Sequence, residues 1–164
     1  MPVQPGTLDD LAARLGEELK IRGWRLATAE SCTGGWIAEV VTSIAGSSEW
    51  FDRGYVTYSN AAKQELLGVA AMTLEKHGAV SAETVAEMAG GALGRSGADC
   101  AVAVTGIAGP GGATPGKPVG LVWFGWATRA GGVTTASQVF GGDRRAVREE
   151  AVCYALTGLL DLLS

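Results

Sequence analysis

Seven polar side chains fall at the ends of apolar runs or on the loops that follow them, where neither a core nor a helical face accounts for them. They are Ser31, Thr33, Ser48, Tyr58, Lys63, Thr105 and Arg145. Lys63 sets the chemistry to look for. A lysine held near other cations or in an apolar pocket gives up its proton and works as a general base. Beside a serine it forms a Ser–Lys pair, a variant of the nucleophile–base logic of the triads. The lone histidine, His77, sits in EKHG at an expected helix C-terminus, where an imidazolium meets terminal carbonyls, and reads as structural. Two serines compete for the nucleophile's role. Ser31 lies on a strand-to-helix turn that can expose a hydroxyl and supply oxyanion amides, and its ordinary role would be an N-cap. Ser48 lies in a loop before the strand that carries Tyr58, and its ordinary role is turn capping. Spacing alone does not choose between them.

Tyr58 could donate a hydrogen bond to a developing oxyanion or simply finish a strand. Arg145 belongs to GGDRRAVRE, in the first turn of the last helix, where the dipole disfavours cations, so that Arg144 and Arg145 together form an anomaly. A bound phosphate at that helix end would account for it, and so would solvent exposure. Glu30, Asp52 and Asp143 show no paired spacing for a metal or a carboxylate dyad, and the two aspartates read as turn or cap residues.

These residues must be positioned by the stretch AVAVTGIAGPGG, residues 101–112. Cys100 to Val104 is a run of small and β-branched residues suited to a strand buried on both faces. It ends at Thr105 and Gly106 and opens into a glycine-rich loop, at the sheet edge where open α/β folds bind ligands. Around it the spacing predicts helices over 7–21, 36–43, 60–67, 73–77, 81–96 and 144–163, with Thr7 as the first N-cap. Strands are predicted over 24–29, 50–58, 100–104, 119–127 and 133–140, the last nearer an edge. The order fits one domain over residues 1–164, a three-layer α/β/α sandwich with a mixed sheet.

Composition narrows the function. The 164 residues carry a formal net charge of −4, with 13 Lys and Arg residues scattered along the chain. That argues against a nucleic-acid footprint. Three widely spaced cysteines and no CxxC read as reduced thiols in a cytoplasmic protein without a zinc site. Neither a signal peptide nor a membrane-spanning stretch is predicted.

AESCTGG at 29–35, AGSSEWFDRGYVTYSNAAKQELLGV at 45–69, AVTGIAGPGG at 103–112, KPVGLVWFGWA at 117–127 and GGDRRAVRE at 141–149 resemble the CinA C-terminal domain family. The resemblance runs from about Ala27 to the C-terminus, and Ala45 replaces a proline found in many members. It implies hydrolysis of the carboxamide of nicotinamide mononucleotide to nicotinate mononucleotide and ammonia, in pyridine nucleotide salvage, without metal or cofactor. Carried over by residue, it makes Ser48 and Lys63 the dyad, with Tyr58 polarising or orienting. Ser31, Thr33, Thr105 and Gly106 would then line the substrate pocket, and Arg145 would neutralise the phosphate. The family's single-copy proteins also imply a homo-oligomer. The competing expectation is a nucleotide-binding or regulatory module without catalysis, linked to competence or DNA damage. A further option is hydrolysis of another amide or a pyrophosphate, the latter weakened by the lack of an acidic metal-binding cluster.

Overall fold

The structure, a computed structural model, describes residues 2–164. The elements in chain order are α1 (Thr7–Arg22), β1 (Leu26–Glu30), α2 (Trp36–Thr42), a 3-10 turn (Ser47–Glu49), β2 (Phe51–Val56), α3 (Asn60–Leu67), α4 (Ala71–His77) and α5 (Ala82–Gly94). They are followed by β3 (Cys100–Gly106), β4 (Leu121–Thr128), β5 (Gly132–Val139) and α6 (Arg144–Leu163). The strands form one mixed sheet in the order β2-β1-β3-β4-β5. β1 runs parallel to both neighbours, and β4 and β5 are antiparallel additions.

The period-2 alternation of the central strands divides the core between the two sheet faces. Leu26, Val102 and Val104 pack with Leu15 and Leu19 of α1, Ile37 of α2 and Val152 and Leu156 of α6. Ala27, Ala29, Ala101 and Ala103 face the other way, toward Leu67, Leu74, Val85 and Met88 of α3, α4 and α5. The result is the expected α/β/α sandwich with a mixed sheet.

Connectivity places the site. β1 leads through α2 to β2 on one side of it, and the chain then returns through α3, α4 and α5 to β3 on the other side. Right-handed crossovers that reverse direction must put their helices on opposite faces, as the two cores record. The reversal at β1 is a topological switch point. It opens a crevice beyond the carboxyl ends of β1, β2 and β3.

Element boundaries differ from the sequence expectation at informative places. α1 is preceded by Gly6, with φ 83° and no side-chain cap, so Thr7 is its first residue rather than its N-cap. β1 starts at Leu26, because the Arg25 backbone N–H is taken by the Asp99 carboxylate. β2 stops at Val56, two residues before Tyr58. That early end frees the Thr57 and Tyr58 carbonyls for other partners.

Candidate active site

Ser59 caps α3, its side chain accepting from the Ala62 N–H at 3.0 Å, and Gly68 closes the helix. Lys63 sits inside on the buried face, with 1% of its surface exposed. Helical side chains lean back toward the helix N-terminus, so Lys63 reaches the loop that precedes its own helix. Its Nζ donates to the Thr57 carbonyl at 3.0 Å and the Tyr58 carbonyl at 3.1 Å, and lies 3.0 Å from the Ser31 Oγ. No carboxylate pairs with it among the described residues. Burial therefore lowers its pKa below the ordinary lysine value. As an ammonium, Lys63 satisfies three acceptors. As an amine, it keeps two N–H donors for the carbonyls and turns its lone pair to the Ser31 hydroxyl. The same three contacts serve both protonation states.

Ser31 follows the last residue of β1, and its N–H donates to the Val104 carbonyl of β3 at 3.0 Å. The chain then turns sharply into α2 through Gly34 and Gly35, with φ of 62° and 103°. Only glycine takes two consecutive left-handed positions without strain. Inside the turn lies Glu30, 1% exposed. Its carboxylate accepts from the Thr33 hydroxyl at 2.6 Å, the Ile37 N–H at 2.9 Å and the Ala38 N–H at 3.0 Å. Desolvation raises its pKa, and those donors oppose the rise. Glu30 thus ties the serine turn to the first turn of α2.

The remaining walls come from other elements. Thr105, at the end of β3, donates to the Ala79 carbonyl at 2.9 Å and so pins the α4–α5 connection beside the pocket. Gly106 is required by packing, since a Cβ there would stand 2.7 Å from the Val122 side chain and 2.9 Å from the Leu121 carbonyl oxygen. Arg144, first residue of α6, donates to the Gly109 carbonyl at 2.8 Å and to the Tyr58 hydroxyl at 3.3 Å. Together these groups surround a cavity of about 220 Å3 lined by Ser31, Tyr58, Lys63, Thr105, Gly106 and Arg144, with Cys32, Asn60, Ala79, Val80 and Ala108. Burial pushes the Cys32 thiol up to about 12, so it stays protonated beside Ser31 and does not compete as a nucleophile. A larger cavity of about 360 Å3 lies between the outer strands and α6, lined by Trp126, Ala136, Tyr154 and Leu162 together with Thr134, Thr157, Gly158 and Asp161, and it holds no lysine or histidine.

Four sequence expectations change position. Ser48 is not beside Lys63. It is exposed, in the 3-10 turn before β2, and β2 pairs with β1 from Phe51 opposite Leu26 to Val56 opposite Glu30. Roughly 13 Å of parallel strand therefore separates the Ser48 end from the Ser31 end. Thr33 does not line the cavity, because it is fully buried with its hydroxyl committed to Glu30. Arg145 turns away to lie 4.8 Å over the Trp36 ring, and its neighbour Arg144 faces the cavity instead. Tyr58 reaches Lys63 through its backbone carbonyl, while its 63% exposed side chain stands at the mouth against Arg144.

Asn60, Arg144 and the supporting Glu30 and Arg148 were missed as site residues. For Arg144 and Arg148 a signal existed, since their i,i+4 spacing places them on one side of α6. For Glu30 it was a carboxylate closing an apolar strand just before a glycine turn into a helix.

A model of the CinA C-terminal domain matches residues 8–163. The chain belongs to the CinA C-terminal domain family. The nicotinamide-nucleotide amidohydrolase PncC of Enterobacter agglomerans is 59% identical over 91% of this chain and 91% of its own. The protein of that name from Escherichia coli K12 is 55% identical over 93% and 92%. The crystal structure of competence/damage inducible protein CihA from Agrobacterium tumefaciens superposes over the whole of both chains with a TM-score of 0.95 at 48% identity. The family expected from the five motifs and the fold expected from the order of elements both stand.

Proposed function

We propose that the protein hydrolyses the carboxamide of nicotinamide mononucleotide, with Ser31 as nucleophile and Lys63 as base. The observation that carries this reading is the 3.0 Å contact between the Ser31 Oγ and a buried Lys63 whose pKa is lowered by desolvation. The amidohydrolase names of relatives more than half identical over nearly the full chain support the substrate.

In the first half of the reaction the Ser31 Oγ attacks the carboxamide carbon as its proton passes to the Lys63 amine. Collapse of the tetrahedral intermediate breaks the C–N bond, and the Lys63 ammonium protonates the departing nitrogen, which leaves as ammonia. In the second half a water gives a proton to Lys63 and attacks the Ser31 ester. The C–O bond to serine breaks, the proton on Lys63 returns to Oγ, and the product leaves as the carboxylic acid, whose proton passes to solvent to give nicotinate and, with the released ammonia, ammonium. Lys63 is neutral at the start of each half. No metal is called for, and no group of three or more metal-ligating side chains occurs among the described residues.

The cavity of about 220 Å3 is smaller than the roughly 300–1,000 Å3 typical of enclosed ligand sites. It takes the amide-bearing ring and leaves the ribose phosphate at the mouth, where Arg144 supplies a cation. Ammonia release should therefore be faster from nicotinamide mononucleotide than from free nicotinamide or NAD. Nucleotide binding without ammonia release would favour the non-catalytic module instead.

A further inference from the structure

We propose that Arg148 is a positioning residue for Ser31, holding the nucleophile's turn from the outside while Glu30 holds it from within. The inference rests on the assignment of Ser31 as nucleophile and goes beyond it, to how that serine keeps its place.

The serine turn is short, and local backbone bonds close it: the Gly34 N–H donates to the Ser31 carbonyl at 3.0 Å and the Trp36 N–H to the Thr33 carbonyl at 3.1 Å, which leaves the Cys32 carbonyl to Arg148. Gly34 and Gly35 carry no side chains, and α2 begins without a side-chain cap. The hydroxyl of Ser31 is held by Lys63, with a longer approach of 3.5 Å to the Tyr58 carbonyl. Two charged groups from elsewhere grip the turn. Glu30 accepts the Thr33 hydroxyl and the first amides of α2. Arg148, more than a hundred residues later on α6, donates its Nε to the Cys32 carbonyl at 3.0 Å and its Nη2 to the Thr33 carbonyl at 3.3 Å. These carbonyls belong to the two residues directly after the serine. Peptide units are planar and trans, so a carbonyl turned to Arg148 sends the following N–H to the opposite side. The fork therefore sets two successive peptide planes as well as two oxygen positions.

Arg148 is itself fixed. Its guanidinium lies 5.5 Å from the Trp36 ring centroid, and Trp36 is the first residue of α2, just after the turn being held. The Gly34 Cα side is open to it, and a Cβ built there would come 3.5 Å from Nη2. Cys32 is buried, so loss of the donor removes the one hydrogen bond seen to its carbonyl. Lysine is no substitute, because one ammonium does not reproduce a planar fork across two carbonyls. Arg148 does not contact Lys63 or line the cavity itself, and it meets the lining only at the Cys32 backbone carbonyl, so its effect on chemistry passes through the turn.

The test uses the full chain as wild type, Arg148→Met and Arg148→Lys. Covalent labelling of Ser31 by a small fluorophosphonate is followed by intact-mass spectrometry, kcat and KM for nicotinamide mononucleotide are measured, and thermal melting reports folding. The expected result is that Arg148→Met lowers both the labelling rate and kcat about 10–100-fold, as a misplacement near 1 Å does, with KM changed less than about threefold. Arg148→Lys should fall between the two. Folded variants that label and turn over within about twofold of wild type, whatever their melting temperature, would overturn the proposal. If Arg148→Met does not fold, Arg148→Lys decides alone by the same criterion. A wild type that labels at Ser31 but releases no ammonia would sink the substrate reading and leave the labelling comparison to decide the role of Arg148.

Discussion

Ser31 and Ser48 sit at opposite ends of the same pair of parallel strands, and the two ends have different physics. At the carboxyl end, three parallel strands end near the switch point, and Ser31 and Thr105 bring hydroxyl groups to a space between helices of the two layers. A lysine is buried there and a carboxylate lies under the serine turn. At the amino end, Ser47–Glu49 forms a 3-10 turn in which Ser47 is buried and Ser48 is exposed to solvent. Ser48 is closer to Lys63 in sequence, 15 residues against 32, yet the parallel register carries it away. Position on the sheet, rather than separation along the chain, decides which hydroxyl can be activated.

The largest effect should come from removing either half of the pair. Ser31→Ala and Lys63→Met are each expected to lower kcat about 10³-fold or more, and the double variant little further, because a nucleophile and its base act as a unit. Additive losses in steady-state kinetics would break the comparison. Arg144→Ala should raise KM for nicotinamide mononucleotide and lower kcat/KM about 10–100-fold, the worth of a charge-assisted hydrogen bond. For nicotinamide riboside, which lacks the phosphate, kcat/KM should hardly change, and an equal loss on both would remove Arg144 from phosphate recognition.

Glu30→Ala leaves the Thr33 hydroxyl and two α2 amides without their acceptor, and should cost about 2–4 kcal/mol of stability by denaturant unfolding. The smallest effect belongs to Ser48→Ala, with stability within about 0.5 kcal/mol of wild type, as for exposed residues generally. Its ammonia release should match wild type, and a large loss would return the nucleophile to the other end of the sheet.

The acid side of the pH profile probes the base. Activity needs neutral Lys63, so kcat/KM should fall as pH drops through a value below the ordinary lysine range, in the direction burial dictates. The same shift has a sign for stability. A lysine with a depressed folded pKa binds fewer protons folded than unfolded between that value and its ordinary one. Stability from this group therefore rises with pH across that window and is lost below it. Lys63→Met should flatten that part of the stability profile in pH-dependent unfolding.

Much of the fold was legible because it is local. The Ala and Val run of β3, the amphipathic spacing of α1 and α6 and the glycine stops all carry their periods in a few consecutive residues. Lys63 was legible as an oddity, a lysine one turn into a helix after a strand. What could not be read was pairing across the switch point. Nothing in the sequence near Ser31 states that β2 ends beside it or that α6 returns over its turn. Arg144 and Arg145 are adjacent, and only the packing of α6 against Trp36 and Gly109 sends one to the cavity and the other away. Glu30 showed no metal or carboxylate pairing because its partners are the Thr33 hydroxyl and two backbone amides of α2, and backbone amides leave no mark in a side-chain pattern.

The most direct test is to quench the enzyme during turnover of nicotinamide mononucleotide and map any acylated peptide by mass spectrometry. A nicotinoyl-nucleotide ester on Ser31 that Lys63→Met no longer forms is the predicted result. An ester on Ser48, or ammonia release that survives in Ser31→Ala, would contradict the account.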